Sequence, residues 1–229
     1  MTDLMASLDE ANQSAAGTHA ELAGIIRISA AGVFAERRVA PVLAEFARQH
    51  PRICIEIDFN TRLIDLVEQG FDFAVRYGVL RGASVISRKL VGRTMVCAAS
   101  PAYLAERGRP QKPEDLVAHD CLVTNSDNWI FRSSEPAKTV EIRVTGRWRA
   151  NSGPALQSAA VAGLGVAYAP ELNLQPALAR GELVRVLEGF EDLGRSSWLV
   201  YPEKRYMPLR VRRAIEFLVD SFRGTEFPR

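Results

Sequence analysis

From Gly24 onward the apolar residues of this chain keep switching between strand spacing and helix spacing, and that rhythm restricts the fold more than any other feature. Residues 25–30 read as a strand. A helix over 33–49 follows, with Val39, Val42, Leu43 and Phe46 on one side and Pro41 placed to loosen its hydrogen-bond ladder. Residues 52–59 then alternate strictly, Ile53, Ile55, Ile57 and Phe59 against Arg52, Cys54, Glu56 and Asp58. One face of that strand is buried and the other available, as near a sheet edge or at a subunit contact. Leu63, Leu66 and Val67 predict a short helix ending at Gly70, and residues 71–77 a third strand. Such alternation specifies an α/β sheet with crossover helices.

The rhythm restarts after an apolar strand over 94–99 that stops at Ser100-Pro101. Pro101 suits a first helical position, where its missing N–H costs nothing, and Ser100 suits the N-cap. Further strands are expected over 121–124, 129–132, 139–145 and 147–150, then a helix over 152–162 stopped by Gly163-Leu164-Gly165. Strands over 166–168, 183–186 and 196–201 follow, with a helix after Pro170. The last helix carries Val211, Ile215, Leu218 and Phe222 at helical spacing. Two α/β units in one chain suggest an intervening cleft, with ligands received at strand ends where helices begin.

Bulk properties exclude several classes. The 229 residues are 47% hydrophobic and 24% charged, with a formal charge of +2, an ordinary globular composition without the dense basic patch of a self-sufficient DNA-binding domain. Arg37-Arg38 and Arg212-Arg213 fall inside helical patterns, where solvated faces explain them. Cys54, Cys97 and Cys121 lack C-x-x-C spacing and fit reduced thiols in a cytoplasm. His19, His50 and His119 share no ligand spacing, so neither metal nor cofactor is expected. Met1-Thr2-Asp3-Leu4 carries no basic leader region, and no apolar run is long enough to span a membrane. Residues 1–16 place Leu4, Leu8, Ala11 and Ala15 on one helical face; that face either meets a second copy or frays.

Several segments, taken in order, resemble the effector-sensing domain of LysR-type transcriptional regulators. They are Gly24-Ile25-Ile26-Arg27-Ile28-Ser29, Pro41-Val42-Leu43-Ala44-Glu45-Phe46, Gly70-Phe71-Asp72 with Arg76-Tyr77-Gly78, and Cys97-Ala98-Ala99-Ser100-Pro101-Ala102-Tyr103-Leu104. Ala160-Val161-Ala162-Gly163-Leu164-Gly165-Val166-Ala167 and Gly181-Glu182-Leu183-Val184 continue the match, which runs from about residue 22 to 222. The resemblance implies two Rossmann-like lobes of the type 2 periplasmic-binding-protein kind with effector in the interlobe cleft. On that basis residues 1–20 are the tail of a linker helix, 21–99 with 202–229 one lobe, and 100–201 the other. It further implies a side-by-side antiparallel homodimer, or a higher oligomer, built on the first helix and second strand. DNA would be met only through a winged helix-turn-helix that this chain lacks.

Candidate effector contacts follow, each beside a plainer structural role. Ser29, Ala30, Ala31 and Gly32 end a strand and begin a helix, so small side chains either let a ligand approach backbone N–H groups or allow close strand-to-helix packing. Arg76 stands on an otherwise apolar strand and suits a carboxylate, or else an ion pair with Asp72 or Glu68. Ser100, with Pro101, can donate its hydroxyl to ligand or cap its helix. Asn125, Trp129 and Phe131 can floor a site or belong to the core, and Asn151 and Ser152 can face ligand or cap. Three helix N-termini and one Arg favour an anionic or amphipathic effector. No G-x-S-x-G, S-x-x-K, H-E-x-x-H or phosphate-cradling loop supports an enzyme. The same pattern is compatible with a transporter's solute-binding protein, and with a pure dimerisation module that takes no ligand.

Overall fold

The computed structural model describes residues 21–62, 65–78, 85–124, 126–134, 137–190, 192, 195–203 and 207–225. The expected linker tail over 1–20 lies outside them. The chain divides into two compact units, Met1–Val91 with Ser197–Glu226, and Gly92–Ser196 with Phe227–Arg229.

In the first unit β1 (Ala23–Ala30) lies between β2 (Arg52–Phe59) and β3 (Phe73–Gly78), and the sheet continues through β12 (Arg195–Pro202) to β4 (Val85–Arg93). β1 runs parallel to both neighbours, with Ser29 opposite Asp58 and opposite Ala74. The strict alternation of 52–59 is that of an edge strand: β2 hydrogen-bonds only β1 among the described strands. Ile26, Ile28 and Phe73 are fully buried.

Helix α1 covers 32–49 in three pieces, a first turn Gly32–Phe34, a π-helical stretch Ala35–Val39 and a regular Ala40–Gln49. The expected loosening lies just ahead of Pro41. Proline has no N–H for the Arg37 carbonyl and its ring crowds that carbonyl. The ladder widens accordingly, and the Ala40 N–H donates to the Ala35 carbonyl. Leu43 and Phe46 face the core, where Phe46 meets Phe217 at 5.4 Å and Phe34 meets Phe222 at 5.3 Å. Those partners bring in α5 (Leu209–Ser221), whose Val211, Ile215 and Leu218 are buried as their spacing predicts.

The short helix expected before Gly70 is a turn: Asp65 accepts the N–H groups of Val67 (2.9 Å) and Glu68 (3.1 Å). Its expected Leu63 lies outside the described residues. β4 has no counterpart in the sequence pattern, because Val85 to Lys89 are all exposed and carry no alternation.

The second sheet runs β11 (Val184–Val186), β5 (Met95–Ala99), β10 (Val166–Pro170), β6 (Cys121–Val123) and β9 (Trp148–Arg149). β5 therefore belongs to the second unit, whereas the family resemblance implied a first lobe running to residue 99. The chain changes unit within β4 and β12, at Val91–Gly92 and Ser196–Ser197. A separate hairpin joins β7 (Asn128–Ser134) to β8 (Ala137–Arg143). α3 (Gly153–Val161) and α4 (Glu171–Ala179) bury Leu156, Ala160, Leu174 and Ala177 against Ala98, Leu122 and Ala167 of the sheet. Gly165 is required by close approach, since a Cβ there would lie 2.3 Å from the Asp120 carbonyl oxygen.

Helix α2 (Pro101–Arg107) is held at both ends of its first turn. Ser100 Oγ accepts the Tyr103 N–H at 3.2 Å, and the Tyr103 phenol oxygen accepts the Asp120 N–H at 3.0 Å. The phenol also lies 3.1 Å from His119 Nδ1, and 3.5 Å from the Asp120 carbonyl, to which it can donate. Burial and the Arg107 charge hold the His119 pKa below its ordinary 6.5, against the opposing pull of Asp115 and Asp120. The folded state thus binds fewer protons than the unfolded chain, and this stability is present above pH 6.5 and lost as pH falls below it. Denaturation midpoints measured from pH 7 down to about 5 should fall more steeply for the native chain than for His119→Asn, whose oxygen replaces Nδ1 without titrating; parallel curves would contradict the latch.

Candidate functional site

Strand direction decides which candidates can act together. In the first unit the three parallel strands bring Ser29, Asp58 and Arg76 to one end of the sheet and one face of it. Ser29 is fully buried, and its Oγ accepts from Arg76 Nη2 at 2.7 Å. Arg76 Nη1 donates to its neighbour's carbonyl, Val75 O, at 3.2 Å. Arg76 is only 8% exposed, yet its guanidinium is bonded to a hydroxyl and a carbonyl and to no described carboxylate. Asp72, offered by the sequence as its partner, instead accepts the Arg27 N–H at 2.8 Å. Burial accordingly lowers the Arg76 pKa, with Asp58 the charge that opposes the shift.

The adjoining turn belongs to the same end. Ala30 closes β1, Ala31 is the extended N-cap of α1, and Gly32 adopts φ +79°. A Cβ on Gly32 would meet nothing within 4 Å, so close strand-to-helix packing does not account for it; the backbone conformation does. The Asn60 N–H donates to the Ala30 carbonyl at 2.9 Å, and the Asn60 amide donates to Asp58. These bonds fix Asp58 beside Ser29.

The second unit corrects the expected convergence of helix N-termini. β5 runs antiparallel to β10, with Ala98 opposite Ala167, whereas β6 and β9 run parallel to the strands beside them. Ser100 and Pro101, following β5, therefore stand at the opposite end of the sheet from Asn151 and Ser152, which follow β9. One ligand cannot use both. Ser100 caps α2 and lies beside Gly163, at the far end of α3 from Ser152. Ser152 is itself the N-cap of α3, accepting the Ala155 N–H at 3.4 Å, which is the simpler of its two roles. Asn151 is exposed beside it.

Asn125 lies outside the described residues. Phe131 and Trp129 are core residues, buried against Tyr168 with ring centroids 4.8 and 5.2 Å away. A crevice beside Phe131, Cys97 and Arg185 is too narrow to admit water. Burial raises the Cys121 thiol of β6 to about 12, leaving it inert. Among the described residues no group of His, Cys, Asp or Glu could hold a metal, and no helix is long and apolar enough to cross a membrane.

Sequence reasoning missed Asp58. The alternation that marked it as surface was correct; its position opposite Ser29 depends on a register that only the fold supplies.

A two-unit α/β domain carrying a buried cation whose direct hydrogen-bond partners are neutral, at the carboxyl end of parallel strands, belongs to the small-molecule-binding class. The family model of the LysR substrate binding domain matches residues 19–223. An uncharacterized HTH-type transcriptional regulator of Haemophilus influenzae is 36% identical over 212 residues, 91% of this chain and 73% of that protein. The HTH-type transcriptional regulator PtxR of Pseudomonas aeruginosa is 34% identical over 220 residues, 94% of this chain and 70% of that one. The full-length Vibrio cholerae virulence activator AphB superposes with a TM-score of 0.77 at 29% identity, covering 96% of this chain and 76% of that one. The chain belongs to the LysR family of transcriptional regulators, and these residues are its effector-binding domain, of the type 2 periplasmic-binding-protein-like fold.

Two substitutions separate the two ends. Ser29→Ala leaves a buried charged donor without its acceptor and should cost about 2 kcal/mol in urea denaturation. Ser100→Ala should cost about 1 kcal/mol through the lost cap and leave any ligand response intact. An unchanged midpoint for Ser29→Ala would contradict its role.

Proposed function

We propose that this domain senses a small anionic effector through Arg76 and Ser29, and that occupancy shifts the balance between two states of the regulator. The observation that carries this is the Arg76 guanidinium, buried with a hydroxyl and a carbonyl as its acceptors and no carboxylate. A buried cation without a counter-ion is costly, and an arriving carboxylate recovers that cost through charge-assisted hydrogen bonds. Ligand acts only through its different affinity for the two states.

The role is sensing in the cytoplasm rather than catalysis, a reading supported by relatives named as transcriptional regulators. DNA is then contacted by the additional length of such regulators. The outer edge of β2, unpaired among the described strands, favours pairing with a second copy. Asn151 and Ser152 remain ligand candidates of the second unit in their own right; Ser100 and Pro101 do not share a site with them.

Melting temperature measured against small carboxylates, phenols and amino-acid derivatives tests the anion. Ligand at a hundredfold excess over its dissociation constant adds about 2.7 kcal/mol of stability. Carboxylates should raise the midpoint, and Arg76→Gln should weaken them more than tenfold by calorimetry. Stabilisation by neutral phenols alone, or a carboxylate bound equally well by Arg76→Gln, would overturn the proposal.

A further inference from the structure

Asp58 gives the same end of the first sheet a second, opposite charge. Ser29 and Asp58 are direct partners across parallel strands, and Arg76 stands two residues beyond Ala74, the partner of Ser29 on its other side. Side chains at these positions share one face, in the spatial order Asp58, Ser29, Arg76. Yet no hydrogen bond joins the two charges, and Asp58 acts on Arg76 only across the space between them. Arg76 gives its hydrogen bonds to Ser29 and Val75, while Asp58 takes one from the Asn60 amide. Neighbouring strands are about 4.8 Å apart, so β2 and β3 lie two spacings apart, but the Arg76 side chain reaches the Ser29 row and its guanidinium stands about one spacing from the Asp58 row.

We infer that the effector is a zwitterion of the α-amino-acid class, its carboxylate taken by Arg76 and Ser29 and its ammonium by Asp58. The inference rests on the anion reading above and narrows it. A plain carboxylate satisfies Arg76 but leaves Asp58 unanswered, and a dicarboxylate brings a second negative charge toward it. A zwitterion answers both charges at once. Asp58 is exposed and Arg76 buried, so the ammonium is held at the wetter side and the carboxylate at the drier one. Carboxylate recognition by a planar guanidinium and ammonium recognition by a carboxylate are the geometries each group favours.

Calorimetric titration of the chain with each of the twenty L-amino acids, and with the matching 2-hydroxy acid of any that bind, tests this. At least one amino acid should bind tenfold or more tightly than its hydroxy acid. Asp58→Asn, a change at an exposed position that keeps an acceptor for Asn60, should weaken the amino acid at least tenfold and leave the hydroxy acid unchanged or tighter. If no amino acid binds, or the hydroxy acid binds as well, the inference fails. An amino acid bound no more tightly than its hydroxy acid, both needing Arg76 and neither weakened by Asp58→Asn, would overturn the zwitterion and keep the anion. An amino acid bound equally by Arg76→Gln would overturn both.

Discussion

The hydrogen bond between Arg76 and Ser29 is the constraint around which the first unit is arranged. A guanidinium cannot be neutralised by losing its proton within ordinary conditions, so burying one obliges the fold to supply acceptors. The parallel pairing of β1 with β3 supplies Ser29 at 2.7 Å. The pairing of β1 with β2 brings Asp58 to the same row. Both pairings depend on β1 being central, and β1 is central because Ile26 and Ile28 are wholly buried, under a helical layer in which the aromatic contacts of Phe34 and Phe46 tie α1 to α5. Apolar burial thus positions a polar group that is costly on its own, an expense accepted at sites that bind charged ligands.

Periodicity made much of this legible. The alternation of 52–59 announced a strand at a sheet edge or a subunit contact, and β2 is an edge among the described strands; the spacing of Val211, Ile215 and Leu218 announced the face that α5 buries. Ser100-Pro101 announced the start of α2, and the hydroxyl caps Tyr103 there. Pro41 announced a disturbed helix, although not that the disturbance would take the form of a π turn before it.

What periodicity omits is direction. The run Met95–Ala99 is buried at all five positions, and such a run reads the same whether its neighbour is parallel or antiparallel. Its antiparallel pairing with β10 sends Ser100 to the end of the sheet away from Ser152, which no local signal reports. β4 escaped notice for the opposite reason, being exposed over its first five residues and rich in polar side chains. Trp129 and Phe131 show the limit of composition: aromatic residues suit a core and a binding floor equally, and Tyr168 decides for the core. Asp58 was visible as a surface residue and became a site residue only through its register with Ser29.

A crystal structure of the chain with a bound carboxylate ligand tests the central claim most directly. The account predicts the ligand carboxylate within hydrogen-bond distance of the Arg76 guanidinium, with Ser29 Oγ beside it. Ligand seated elsewhere, with the Arg76–Ser29 bond unchanged and no anion near the guanidinium, would contradict it.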